Sequence, residues 1–541
     1  MPWLPRSLTA LLIAAATHRA AAQRAPAPPA DPSRPTLVVL VTVDQMRADY
    51  LTTRFGSGLA GGLERLRDGG ALFTNAHQDH AITETAPGHA STLSGRFPAH
   101  TGIVRNAVGV QDPRSPLLAG GVTGPASPAR FRGSTLVDWM LAADPRSRAL
   151  SVSRKDRGAI LPVGRARQRV FWYGGNGRFV TSRYYADTLP DWVRRFDGDT
   201  AGATPTPLGT VAAHYAGRAW TPLLAPSAYP EPDSVPVENG GRAYTFPHVL
   251  AADPAAAAHD LPEFPWMDEA TLRFALAGVR AMRLGAGPAP DVLAVSLSTT
   301  DAVGHRYGMD SREMHDQILR LDRSLGAFLD TLFTLRDSSR VVLALTGDHG
   351  MQPYPALHFA AGTPGAGYAN VGPVLDSARA RLTARGLAGD ALQFDDGMLA
   401  VDRVAFRGAG LDADSAVRSV AATLRRVPGV ASVLLRADLA PRAARDVYAR
   451  RWLHMIPDDA PVAAVVSLAP FYYWGGTRSA THGSPNDGDT NVPVLFWGRA
   501  FRPGRYPAFA RVVDIAPTLA AVLGVRPTEA VDGVVLRRAM R

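Results

Sequence analysis

The chain has 541 residues, 46% of them hydrophobic and 20% charged, with 58 basic against 48 acidic side chains and a formal charge of +10. That length and apolar content exclude a short binding module and a disordered chain, and the lack of cysteine excludes disulfides, cysteine zinc sites and cysteine nucleophiles. The basic charge comes without a lysine run or an RNA-binding signature, so a surface that attracts anionic small molecules accounts for it and no nucleic-acid-binding module is expected.

In chain order, residues 1–22 carry Arg6, an apolar run over 8–16 and the small residues Ala20, Ala21 and Ala22, the pattern of a secretory signal peptide cleaved after Ala22. The apolar run is shorter than the roughly 18 residues of a membrane span and no longer one follows, so a periplasmic or secreted protein with no span after cleavage is predicted. A Pro/Ala-rich linker occupies 23–35. From residue 36 the run TLVVLVTVDQ is continuous and β-branched, as a strand buried on both faces requires. Two similar runs follow, DVLAVSLSTTD at 291–301 and RVVLALTGDHG at 340–350. Between them SREMHDQILRLDRSLGAFLDTLF has apolar residues at helical spacing, which predicts a strand–helix–strand unit and a largely parallel sheet. Residues 36–541 therefore read as one α/β catalytic domain, an α/β/α sandwich with a largely parallel central sheet and inserted cap regions. One insertion, rich in aromatics and proline, is expected at about 170–265; the other, at about 360–475, pairs an amphipathic helix with a strand in DSAVRSVAATLRRVPGVASVLLRADL. The closing stretches NVPVLFWGRAFRPG and VVDIAPTLAAVLGV should rejoin the main sheet.

All three long runs finish on acidic residues. Ligands in open α/β sheets gather at the carboxyl ends of strands, so Asp44, Asp301 and Asp348 are expected to converge. DAVGH adds His305, DHG adds His349, and THG at 481–483 adds His482. Three carboxylates with three imidazoles form a donor set suited to zinc. A lone Asp-His pair is more often a turn or cap, but separate strands delivering matched donors to one edge make the set stronger than any pair. In TETAPGHASTLSG, at 83–95, Pro87 marks a first helical turn and puts Thr85 at or beside the N-cap. There Thr85 is either a plain cap or a hydroxyl that a neighbouring zinc turns into a nucleophile, the helix end holding an anionic oxygen. SRKDRGAI, at 153–160, contains the one lysine of the chain, Lys155, against 57 arginines (58 − 1). Such a lysine is either a chance survivor on the surface or the compact ammonium that a narrow site needs and a planar guanidinium cannot replace.

The ordered set Asp44, TAPGH, IVRN, KDRGAI, TTDAVGH, TGDHG, THG and VVDIAPTLAAVLG resembles the alkaline phosphatase superfamily. Within it, the set is similar to the threonine-nucleophile phosphate monoesterases of the phosphate-insensitive bacterial type, relatives of the nucleotide pyrophosphatase/phosphodiesterases. The resemblance covers the chain from about Thr36 onward and implies an alkaline phosphatase-like fold with two Zn²⁺ per chain. One zinc would bind Asp44, Asp348, His349 and the Thr85 alkoxide, the other Asp301, His305 and His482. Thr85 would attack phosphorus and form a phosphothreonine intermediate, while Asn106, Lys155 and Arg157 hold the phosphoryl oxygens. A monomer acting on small-molecule phosphate monoesters is implied. Two zinc ions offset by three aspartates and an alkoxide leave the site near neutral, so a dianionic monoester needs further cations. Lys155 and Arg157 match that need, their i, i+2 spacing placing both on one face of an extended segment. Three other readings are weighed against this one. A nucleotide pyrophosphatase/phosphodiesterase would carry an apolar pocket in place of the Lys/Arg pair. A sulfatase needs Cys or Ser where this chain has Thr85, and a non-catalytic secreted metal-binding protein would lack the nucleophile.

Overall fold

The long aliphatic runs form the middle of the sheet because nothing on either face of them needs water. In the computed structural model, which describes residues 34–199, 208–477 and 479–541, the strands Leu37–Val43, Asp291–Leu297 and Val341–Gly347 are buried at every position. Leu37–Val43 lies between the other two, parallel to both, with Val43 opposite Leu297 on one side and Gly347 on the other. Ala149–Ser153 and then Arg169–Tyr173 continue the parallel set beyond Asp291–Leu297. On the far side Val494–Trp497 enters antiparallel between Val341–Gly347 and Ala71–His77, and Gly504–Arg511 closes that edge. Phe179–Ser182 and Leu117–Leu118 complete the ten strands at the opposite edge. The predicted signal peptide and nearly all of the linker lie outside the described residues.

Side-chain alternation along Leu37–Val43 splits the core into two layers. Val39, Val41 and Val43 pack with Leu325 and Phe328 of the helix Arg312–Leu335 and with Phe274 of the helix Trp266–Met282. Val38 and Leu40 pack on the other face with Ala86, Ala90 and Leu93 of the helix Thr85–Ser94 and with Leu519 of Ile515–Leu523. Helices therefore cover both faces, as the α/β/α expectation required.

The segment from 170 opens with strands of the central sheet, Arg169–Tyr173 and Phe179–Ser182, before the chain leaves it. Aromatic density there, Phe171, Trp172 and Tyr173, belongs to the core and not to a cover, which is why composition alone drew the boundary too early. Further on, Trp220, Leu223 and Tyr229 all donate to the buried carboxylate of Asp316 on Arg312–Leu335, anchoring this cap to a core helix. The later segment builds its own antiparallel sheet from Leu392–Asp395, Met398–Val401, Val462–Leu468 and Val430–Leu435. It packs on the helices Gly372–Thr383 and Ala413–Leu424 around a separate core, the helix–strand pair seen in the sequence.

Candidate active site

Register places the carboxylates. Asp44 follows Val43 and Asp348 follows Gly347, so these two acids stand side by side where their paired strands end. Asp301 lies in the first turn of the helix Thr299–Tyr307, and His305, one turn later, falls on the same face. His349 follows Asp348 directly, and His482 comes from the loop before Asp487–Thr490. Thr85 is the first residue of Thr85–Ser94, after Glu84 in extended conformation, and is almost fully buried. The helix comes this close because Gly88 has no side chain: a Cβ there would overlap the backbone of Asp348.

The imidazoles are held for metal binding. His305 donates Nδ1–H to the Ala480 carbonyl at 2.7 Å, His482 to Thr83 at 2.7 Å and His349 to Gly350 at 3.0 Å. That fixes the tautomer and turns each Nε2 lone pair inward. The Nε2 atoms of His305 and His482 are 3.2 Å apart, and Asp301 Oδ1 is 3.2 Å from the first and 3.5 Å from the second. Facing acceptors at this range call for a cation between them. Donor atoms of Asp301, His305 and His482 cluster within 4.8 Å, as do those of Asp44, Asp301 and His349. Asp348 is outside the second cluster, its Oδ2 standing 3.7 Å from His349 Nε2. Asp44 Oδ1, Asp348 Oδ2 and His349 Nε2 are buried without hydrogen-bond partners. Orphaned ligand atoms of this kind, all oxygen and imidazole nitrogen, fit divalent metal binding.

Lys155 enters the middle of this set. Its ammonium is 2.7 Å from Asp44 Oδ2, 2.7 Å from Asp301 Oδ2 and 3.1 Å from Thr85 Oγ1. Burial and Asp301 push the Asp44 carboxyl up, but Lys155 and His349 hold it well below the usual carboxylate range. Burial likewise raises Asp301, and Lys155 with His305 overrides it downward. Asn106 accepts from Ala86 N at 2.8 Å through Oδ1, which leaves its Nδ2 as a donor beside Thr85.

Arg157 differs from expectation. The extended segment stops at Lys155, which precedes the short helix Asp156–Ile160, so an i, i+2 extended spacing does not carry the two cations to one face. The cause is local: Ser153 Oγ takes the Lys155 amide and Asp156 Oδ1 takes the Arg157 amide, turning the chain into a helix. Arg157 Nη1 lies 3.5 Å from Asp156 Oδ1 and contributes a favourable field at Glu84, the residue before Thr85.

Three residues without a role in the sequence reading also belong to the site. Glu84 accepts from the Asn106 amide at 2.6 Å, and burial pushes its carboxyl up against that hydrogen bond. His89 joins the Thr85 carbonyl at 2.9 Å to Ser296 Oγ at 2.8 Å. Gln45 bonds both Asp348 and Asp301. His89, four residues after Thr85 on one helix, was open to an i, i+4 argument; the contacts of Glu84 and Gln45 have no local signal.

Comparison with known proteins identifies the family and the fold. Residues 38–362 match the family model for type I phosphodiesterase / nucleotide pyrophosphatase. The chain is 31% identical over 536 residues to alkaline phosphatase PhoK of a Sphingomonas species, covering 92% of this chain and 90% of that one. It is 29% identical over 514 residues to a protein of Myroides odoratus named as a calcium-transporting ATPase, covering 91% and 92%; among the described residues here, no helix is long and apolar enough to cross a membrane. The crystal structure of alkaline phosphatase PafA superposes with a TM-score of 0.85 at 27% identity, over 94% of this chain and 99% of that one. A match spanning more than half the sequence, on a fold shared almost end to end, means that this chain belongs to the type I phosphodiesterase / nucleotide pyrophosphatase family of the alkaline phosphatase superfamily.

Proposed function

We propose that the chain is an exported alkaline phosphatase that hydrolyses phosphate monoesters through a phosphothreonine at Thr85, with zinc at both cation positions. Its relatives named alkaline phosphatase, similar over nine-tenths of the chain, support a phosphoric monoester hydrolase. The observation that carries the reading is the Lys155 ammonium 3.1 Å from Thr85 Oγ1, a buried cation beside the hydroxyl that attacks. A monoester presents one more charged non-bridging oxygen, and about one more negative charge, than a diester, and a buried ammonium rewards that difference. Asp44, Asp348, His349 and Thr85 would hold one zinc and Asp301, His305 and His482 the other. Zinc there supplies Lewis-acid polarisation of the hydroxyl and of the leaving oxygen.

Thr85 Oγ1 forms a bond to phosphorus as the bond to the leaving oxygen breaks on the opposite side, and the proton given up by the hydroxyl ends on the departing alcohol. Asn106 Nδ2 and Lys155 hold non-bridging oxygens through that inversion, and the N-terminal end of Thr85–Ser94 adds its dipole. Water then attacks the phosphothreonine, releasing inorganic phosphate and restoring the Thr85 hydroxyl. Arg157, on the separate helix Asp156–Ile160, is assigned to the outer side of the phosphoryl group. The signal-peptide pattern of 1–22 supports export.

The test is kcat/KM for an aryl phosphate and for its methyl diester, with metal content measured on the same purified protein. A strong monoester preference and about two zinc per chain are expected on the two-metal template. A diester preference would assign the site to the phosphodiesterase branch, and a fully active metal-free protein would remove the di-zinc reading.

A further inference from the structure

Gln45 is the residue between the two cation positions. It is wholly buried, and its φ of 67° lies in the left-handed region that a non-glycine side chain rarely adopts. Backbone strain at such a point persists only where the surroundings demand it. Here the turned backbone sends the Gln45 amide N–H to Asp348 Oδ1 at 3.0 Å, while the side-chain Nε2 donates to Asp301 Oδ1 at 3.0 Å. One residue thus grips one carboxylate of each position. The second bond is to the same oxygen that stands 3.2 Å from His305 Nε2 and 3.5 Å from His482 Nε2. An amide on one lone pair of Asp301 Oδ1 fixes the carboxylate's rotation and leaves the other lone pair facing the two imidazoles.

Gly304 makes room for this. It lies on Thr299–Tyr307 between Asp301 and His305, and a Cβ there would fall inside the envelope of Gln45 Oε1, with Met351 Sδ the next neighbour at 3.1 Å. Glycine in a helix interior lowers helix stability relative to alanine. The space it leaves is filled by an amide group whose oxygen has no hydrogen-bond partner of its own.

From these contacts we infer that Gln45 is a positioning residue that sets the metal affinity of the Asp301–His305–His482 position, and that Gly304 is glycine to admit its amide. The inference rests on the di-metal reading above. Its direction is specific: the bond to Asp348 comes from the backbone and survives substitution, whereas the bond to Asp301 comes from the side chain and does not.

The experiment compares zinc binding of the parent, Gln45→Asn, Gln45→Ala, Gly304→Ala and Gln45→Ala/Gly304→Ala, stripped and titrated against a competing chromophoric chelator. Circular dichroism of the stripped proteins reports the fold. Asparagine tolerates left-handed φ, so Gln45→Asn keeps backbone and amide while falling one methylene, about 1.5 Å, short of Asp301. Loss of a hydrogen-bond partner to a ligand typically weakens a metal 10–100-fold. One of two zinc ions should weaken by about that factor in Gln45→Asn, Gln45→Ala and Gly304→Ala, the other remaining as in the parent. Adding Gly304→Ala to Gln45→Ala should cost little more, because the overlapping amide is gone and only Met351 Sδ, at 3.1 Å, must give by a few tenths of an ångström. In a His305→Ala/His482→Ala background, which keeps only the first position, Gln45→Asn should leave zinc affinity unchanged. Two zinc ions bound with parental affinity by Gln45→Asn and Gln45→Ala, or equal weakening at both positions, would overturn the inference while the di-zinc reading stands. A parent that binds no zinc would overturn both.

Discussion

Lys155 stands at the point where substrate charge and metal-site charge meet, and removing it separates two explanations of its presence. The side chain is 8% exposed and its ammonium touches Asp44, Asp301 and Thr85 Oγ1 within 3.1 Å. If it serves the phosphoryl group, each charge-assisted hydrogen bond lost costs about 1.5–3 kcal/mol. Lys155→Ala alone should then lower monoester kcat/KM by roughly ten- to a hundredfold at 1.36 kcal/mol per decade. Lys155→Ala/Arg157→Ala should reach roughly a hundredfold or more if Arg157 meets the outer oxygens. The methyl diester presents one charged oxygen fewer, so its kcat/KM should fall far less. Lys155→Arg should also impair the monoester reaction, since a planar fork cannot stand 2.7 Å from both Asp44 and Asp301 while approaching Thr85. The assay is steady-state kinetics on both esters with zinc content determined for each variant. Equal losses on the two substrates, or loss of zinc in step with loss of rate, would show that Lys155 balances the carboxylates rather than the substrate and would refute the reasoning.

Thr85→Ala should lower turnover by several orders of magnitude while most of the metal stays bound, and acid quenching of the parent during turnover should recover phosphate on the peptide carrying Thr85. Asp316→Ala should destabilise the protein by about 3 kcal/mol or more in chemical denaturation, because it strands the buried Trp220 Nε1–H, the Leu223 amide and the Tyr229 hydroxyl at about 1–3 kcal/mol each. Glu238 is buried near Glu313, and burial together with that neighbour pushes its carboxyl up to about 9. Its folded form therefore keeps a proton that the unfolded chain loses above about pH 4.3, so stability falls as pH rises from there to about 9. Glu238→Gln, which mimics the protonated form, should unfold at a higher temperature than the parent at pH 8, with the gap closing below pH 5.

Much of this molecule was open to reading from the chain alone. The runs ending at Asp44 and Asp348 are apolar on both faces, so burial inside a parallel sheet was their one comfortable place, and strand ends in such sheets converge. The pairing of Asp301 with His305 follows from one helical turn, and Thr85 beside a helix start follows from Pro87 two residues on. What the tertiary structure decided are contacts with no local pattern behind them. Gln45 meets Asp348 across 303 positions and Asp301 across 256, and its left-handed backbone has no marker in a residue type that usually avoids it. Two side-chain-to-backbone hydrogen bonds, at Ser153 and Asp156, accompany the change from an apparent strand extension to a helix after Lys155. The antiparallel strand Val494–Trp497 could be foreseen as a strand, but its place between Val341–Gly347 and Ala71–His77 depends on which edge the rest of the sheet left open. Periodicity and strand ends are properties of neighbouring residues; register, side-chain direction and the partner across a sheet are settled only by the packing of the whole chain.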